Sequence, residues 1–144
     1  MHKGFYASGF LYHLPSGQIL LQQSTLGPSS LWSLFGKQGL YKESAEVTFQ
    51  RVIYDLLHVK LPLATIYPIY TYFYKDIHKE HTVVYAEAED MQRFSSLNTV
   101  RCAWFTLKQV LKLDLLEQTR HDITVGQRVI SARMRKSLGL QTLE

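Results

Sequence analysis

Cysteine is almost absent. Cys102 is the single one among 144 residues, so no internal disulfide framework can form, and a reducing compartment is the natural setting. Beside an apolar run, it reads most simply as a small buried side chain. Long apolar runs are missing as well. Nothing approaches the roughly 18 apolar residues of a membrane-spanning helix, and Met1-His2-Lys3-Gly4-Phe5-Tyr6 lacks the apolar core and cleavage pattern of a secretion signal. The expected location is therefore cytoplasmic, with no membrane partner. No internal repeat, low-complexity tract or long linker interrupts the chain, so residues 1–144 are expected to form a single domain. Two catalytic signatures are also lacking. There is no G-x-S-x-G nucleophile elbow, which leaves acyl transfer without support. His78-Lys79-Glu80-His81 has no second Cys or His cluster to complete the three or four ligands zinc usually takes, and it reads as a polar hairpin loop.

What is present is ordinary for a globular protein: 46% hydrophobic and 19% charged residues, on a chain long enough to bury a core. Residues 4–12 and 17–23 read as strands joined by turn chemistry at Pro15-Ser16-Gly17. A polar loop follows, and then Leu31-Trp32-Ser33-Leu34-Phe35. Residues 44–58 read as a helix. Ser44 suits its N-cap, Glu46 suits its first turn, and Phe49, Ile53 and Leu57 make an apolar stripe. Residues 65–74 and 81–88 are rich in β-branched and aromatic types and read as two more strands, with Pro68 placing the first at an edge or a bulge. A short strand is expected at 100–105. Thr106-Leu107-Lys108-Gln109 has capping-box spacing and opens a helix carrying Leu107, Val110 and Leu111. A last helix is expected from about Asp122 to Leu138, stopped by Gly139. The order of strands, helix, strands and helices predicts an α+β fold: a mixed sheet packed between helices, as an α/β/α sandwich.

The segment from Trp32 to Val59 carries the chemistry. It resembles the Nudix box of nucleoside-diphosphate-X hydrolases, G-x5-E-x7-R-E-U-x-E-E-x-G-U, where U is aliphatic. Glu43 and Arg51 have the required spacing, and Ile53 and Val59 match the aliphatic positions. Glu43-Ser44 matches the common entry to the helix, and Trp32-Ser33-Leu34-Phe35-Gly36 is similar to the usual approach. Ala7-Ser8-Gly9-Phe10-Leu11 and Gln18-Ile19-Leu20-Leu21 resemble the family's opening hairpin, and Ala103-Trp104-Phe105-Thr106-Leu107 resembles its later strand-to-helix corner.

The departures bear on function. Lys37 stands at the first glycine of the box and His58 at its last. The resemblance puts three metal-ligand glutamates at 52, 55 and 56, where this chain has Val52, Asp55 and Leu56. Hydrolysis of a phosphoanhydride requires water to reach a phosphorus ringed by anionic oxygens, and divalent ions neutralise that charge and acidify the water. Mg²⁺ takes hard oxygen ligands, and positions i, i+3 and i+4 would converge carboxylates on it from one helix face. With valine and leucine at two of the three, that face is largely apolar.

The candidate catalytic residues are accordingly Asp55, Glu43 and Arg51, with Asp55, Glu43 and Glu46 as metal ligands. The resemblance also implies that Arg51 and Glu43 fix the loop on the helix. Gly36, Lys37 and Tyr72 are the candidates for holding a nucleotide. Tyr72 belongs to a set with Tyr67, Tyr70, Tyr74 and Tyr85 that could stack a base or sugar, although cross-strand packing is the simpler role.

Three functions fit these residues. The leading one is a Nudix-like domain with hydrolysis weak or lost, which binds a nucleotide-type ligand or a protein partner. The second is a pyrophosphohydrolase using Mg²⁺ or Mn²⁺ with a rearranged carboxylate set, drawing on Glu80, Glu87 or Glu89. The third is a basic nucleic-acid-binding module built on Arg120, Arg128, Arg133, Arg135 and Lys136. A solvated helix face is the simpler reading of that last cluster.

Overall fold

A computed structural model describes residues 4–25, 30–74, 78–92 and 100–139. Its strands are β1 (Phe5–His13), β2 (Gln18–Ser24), β3 (Trp32–Ser33), β4 (Phe35–Gln38), β5 (Ile66–Tyr74), β6 (Lys79–Ala88) and β7 (Val100–Phe105), and its helices are α1 (Ala45–Leu57), α2 (Leu107–Val110) and α3 (Glu117–Ser137). All seven strands form one sheet, whose main path runs β3-β2-β1-β6-β5, with β4 paired to β1 and β7 to β2. The sheet is mixed: β1 runs parallel to β6 and antiparallel to β2 and β4. Pro68 has no N–H for a ladder, and the register of the edge strand β5 shifts between Pro68 and Tyr70.

Side chains alternate across a strand, and here the alternation feeds two cores. Leu11, Leu20, Val84 and Ala86 face α1, where they meet Phe49, Val52, Ile53 and Leu57. Phe10, Tyr12, Ile19, Leu21, Val83 and Tyr85 face the other way, toward Val110 of α2 and Ile123 and Ile130 of α3. Burying each such side chain contributes about 2 kcal/mol, so the sheet is held from both sides. The expected stripe of Phe49, Ile53 and Leu57 is the inward face of α1, and Val52 joins it.

The helix ends follow their residues. The Ser44 hydroxyl accepts from the Val47 N–H at 3.1 Å, and the Thr106 capping box closes in both directions. At the far end of α1, His58 adopts φ 58° and ψ 29° and donates its backbone N–H to the Tyr54 carbonyl. This is the left-handed turn that glycine favours. The chain therefore keeps the backbone shape of the box's last glycine with a histidine in its place.

Two expectations need correction. The final helix starts at Glu117, not near Asp122. Residues 117–121 are polar and carry no apolar period. They are held in the helix by tertiary bonds, as Arg120 donates to the carbonyls of Val110 and Leu113 and Gln118 donates to the Tyr70 hydroxyl, and by an i,i+4 bond within the helix from Gln118 to Asp122. Next, α2 makes a single turn, so Leu111 leaves the expected stripe and is 72% exposed. The approach to the box, for which no element is expected from its residues alone, is two short strands, recruited by ladder bonds to β1 and β2. Trp32 there meets Phe105 edge to face, 4.8 Å between ring centres. No helix among the described residues is long and apolar enough to cross a membrane.

Candidate functional site

The expected site lies at the start and along the outer side of α1. Arg51 donates through Nε to Glu43 Oε2 at 2.9 Å and through its terminal nitrogens to Glu43 Oε1 at 3.1 Å and the Gln38 carbonyl at 3.2 Å. Glu43 Oε1 also accepts from the Leu40 N–H at 2.8 Å and the Thr48 hydroxyl at 2.9 Å. This fork ties the turn after β4 to the helix, and Arg51 beside it, followed by the Leu40 and Thr48 donors, draws the Glu43 carboxyl down to about 2. Both carboxylate oxygens are committed. A metal ion could take Glu43 only by displacing these donors.

The neighbouring positions do not supply a replacement. Val52 is completely buried and Leu56 packs partly buried against the same core, so two of the three metal positions implied by the box belong to the hydrophobic interior. Asp55 sits half-exposed on the helix surface, and its Oδ2 is 3.7 Å from Lys37 Nζ. A cation from β4 thus stands beside the remaining carboxylate. Glu46 occupies the first turn of α1. Glu43 and Glu80 both line a broad cleft of about 850 Å³ with Ala45, Phe73, His78 and Lys79. Even so, no three His, Cys, Asp or Glu side chains among the described residues gather as a metal-holding group. The donor set does not fit a divalent ion.

The other expected residues scatter. Gly36 faces β1 so closely that a Cβ there would lie 2.8 Å from Ser8 Cβ and from the Tyr6 hydroxyl, which gives this glycine a packing reason in the β1–β4 ladder. Tyr72 is on the α3 side of the sheet, away from Asp55, Glu43, Arg51 and Lys37. Glu87 is on that side too, lining a cleft with Tyr85 and Arg133, while Glu89 is exposed beyond the end of β6. The side chain of Tyr74 falls outside the described residues. In the basic cluster, Arg120 is tied to backbone carbonyls and Arg133 lies 3.7 Å above the Tyr67 ring.

The α3 side carries a polar constellation that the sequence reading did not single out. Ser8, His81 and Asp122 are 4%, 6% and 2% exposed, where an unsatisfied polar group would cost several kcal/mol. Each has partners. Ser8 Oγ is 2.7 Å from His81 Nε2, and the Tyr72 hydroxyl is 2.7 Å from His81 Nδ1. The Tyr70 hydroxyl donates to Asp122 Oδ1 at 2.6 Å, joined by Gln118 at 2.9 Å, and Tyr72 reaches Asp122 Oδ2 at 3.5 Å. Burial pushes the His81 imidazole down from its ordinary value, with Asp122 acting weakly against it. The Tyr70 phenol is pushed up by burial and then by its bond to Asp122. Ser8, His81 and Asp122 all line a cleft of about 350 Å³, together with Tyr6, Leu34 and Leu116 and the polar residues Ser33, Gln118 and Thr119.

The signal for this cluster was period 2. His81 alternates with Val83 and Tyr85, and Ser8 with Phe10 and Tyr12, so both share the buried face. Instead His81 was grouped with His78. That residue is exposed in the turn before β6 with φ 50°, and the two do not converge. Asp122 had no such signal, because its inward position depends on the early start of α3.

No family model matches the sequence, and no curated protein matches it by sequence. Solved structures do match. The E. coli ORF135 protein superposes with a TM-score of 0.68 at 14% identity, over 92% of this chain and 94% of its own. The C-terminal domain of mouse MUTYH, solved in complex with human PCNA, gives 0.67 at 10% identity over 90% and 91%. The Nudix domain of Shewanella oneidensis NrtR, complexed with ADP ribose, gives 0.65 at 20% identity over 90% of each chain. The chain has the Nudix fold, a mixed sheet held between helices.

Proposed function

We propose that this Nudix-fold chain binds a nucleotide or nucleoside-diphosphate-linked ligand and has little or no pyrophosphohydrolase activity. One observation carries the reading: the positions from which carboxylates would reach a metal are occupied by Val52, completely buried, and by Leu56 packed against the same core. Glu43 and Arg51 then act as a brace for the loop. Lys37, beside Asp55 on the open side of α1, offers a point charge for a phosphate, with Gly36 allowing β4 to lie close on β1. Tyr72 acts through His81 on the far side of the sheet. The ADP-ribose complex of the NrtR Nudix domain supports a nucleotide-type ligand for this fold. A cytoplasmic setting and a single domain over residues 1–144 belong to the same proposal.

The test is an assay with Mg²⁺ or Mn²⁺ against nucleoside triphosphates, ADP-ribose, nucleotide sugars and dinucleoside polyphosphates, run beside calorimetric titration of the same compounds. Ordinary enzymes turn over at roughly 1–10³ per second. Binding with turnover several orders lower is expected. Strong metal-dependent turnover that disappears in Asp55→Ala would establish the rearranged-site enzyme instead.

A second reading, a protein-interaction module, is favoured by one feature. Leu40, Tyr41 and Tyr54 are exposed large hydrophobic side chains, at 56%, 68% and 52%, in α1 and the turn before it, and the structurally similar MUTYH domain is in complex with PCNA. Changing all three to serine should leave nucleotide titrations unaltered and abolish partner capture if this reading is right.

A further inference from the structure

Asp122 presents an imbalance. Its side chain is almost wholly buried in the wall of the cleft, and neither ion pair found among the described residues includes it. Oδ1 is saturated by Tyr70 and Gln118, whereas Oδ2 has a single contact, with Tyr72 at 3.5 Å. That length is the outer limit of a hydrogen bond. A carboxylate oxygen accepts two good donors, so Oδ2 retains acceptor capacity inside the cleft. Beside it, Ser8 Oγ is held by His81 at 2.7 Å and adds a second acceptor. Tyr6 and Leu34 form a flatter, less polar wall, with the Tyr6 ring edge-on to His81 at 5.1 Å. The cleft thus combines these buried acceptors with the apolar surface of Tyr6, Leu34 and Leu116, and Ser33, Gln118 and Thr119 complete its lining, at a volume of about 350 Å³. Buried acceptors of this kind recognise N–H groups and reject rings that lack them.

We infer that the cleft beneath α3 receives an amino-substituted heteroaromatic ring, whose N–H donors bond Asp122 Oδ2 and Ser8 Oγ. This rests on the nucleotide reading and narrows it: the base of the ligand carries an exocyclic amine. The phosphates project from the cleft into solvent, and no bond is made or broken in the cleft.

Calorimetric titration of matched nucleoside monophosphates tests the inference. Guanosine is paired with inosine, cytidine with uridine, and adenosine with purine riboside, each as the 5′-monophosphate. In at least one pair, the amine-bearing member is expected to bind about tenfold or more tightly than its partner, the loss typical of one charge-assisted hydrogen bond. Asp122→Asn should erase that preference, since the amide nitrogen repels the donor, while both members still bind. Ser8→Ala should reduce the preference and serves as the second variant if Asp122→Asn melts early. Equal affinity within every pair, or a preference that survives in Asp122→Asn, overturns this inference and leaves the nucleotide reading intact. Absence of binding by all six compounds overturns this inference, and absence of binding by ADP-ribose and the nucleoside triphosphates as well overturns the nucleotide reading.

Discussion

The two faces of the sheet have handled polar groups in opposite ways. On the α1 face the interior is apolar apart from Thr48, whose hydroxyl donates to Glu43, and charge stays at the rim. Glu43 and Arg51 are consumed by each other and by backbone groups, and Lys37 meets Asp55 at a surface distance of 3.7 Å. On the α3 face a serine, a histidine and an aspartate are buried together beside a cleft. Apolar replacements for such a trio are often neutral or stabilising, and the α1 face shows what that replacement looks like. A buried polar cluster with spare acceptor capacity is costly to keep, and the inferred ligand cleft lies beside it. The difference teaches that the two faces of one sheet can carry opposite polar content, an apolar core under α1 and a buried Ser8-His81-Asp122 group under α3.

The contrast breaks most sharply at Val52. Placing a carboxylate there, with Val52→Glu, should destabilise the protein by about 4 kcal/mol at neutral pH, because the charged form is desolvated. The loss should shrink in acid, where the new side chain can protonate, and millimolar Mg²⁺ should not restore the melting temperature. A variant that folds normally and gains thermal stability with Mg²⁺ would show that the α1 face is still organised around a metal.

Acid should separate the faces in two steps. His81 binds protons less readily folded than unfolded, so its share of stability is full above pH 6.5, the ordinary imidazole value, and declines as pH falls below it. Glu43 has a depressed carboxyl, so its share is full above about 4.5, its ordinary value, and is lost as pH falls toward about 2. That second step amounts to about 2 kcal/mol after allowance for the solvent reaching Arg51. Melting temperature against pH should therefore bend twice. His81→Gln should remove the upper bend alone, and Glu43→Gln the lower one alone. A single bend that neither change affects would contradict the separation.

Much of the α1 face was legible in the sequence because it is local. Ser44, Phe49, Ile53, Leu57, Glu43 and Arg51 act within one helix and the turn before it, and spacing alone places them. Val52 could be recognised as a missing carboxylate, but its burial depends on how α1 sits over β1 and β6. The α3 face was illegible for a related reason. Ser8 and His81 lie on strands brought together by the parallel β1–β6 pairing, 73 residues apart, and Asp122 reaches them only because α3 starts five residues earlier than its apolar period suggests. Bonds from Arg120 to Val110 and Leu113 and from Gln118 to Tyr70 hold that early turn, and no periodicity reports them.

The smallest effect concerns the helix end. His58 holds a left-handed turn at φ 58°, so His58→Gly should stabilise the protein by about 0.5–1 kcal/mol by removing backbone strain. It should leave nucleotide titrations unchanged. Loss of binding on this substitution would give the histidine side chain a part in recognition.

The central claim is that the α1 face no longer holds a divalent ion. Titration of Mn²⁺ into the protein without nucleotide, with free Mn²⁺ followed by electron paramagnetic resonance, tests it most directly. The account predicts no saturable site tighter than the millimolar range. A stoichiometric site that vanishes in Asp55→Ala would contradict it.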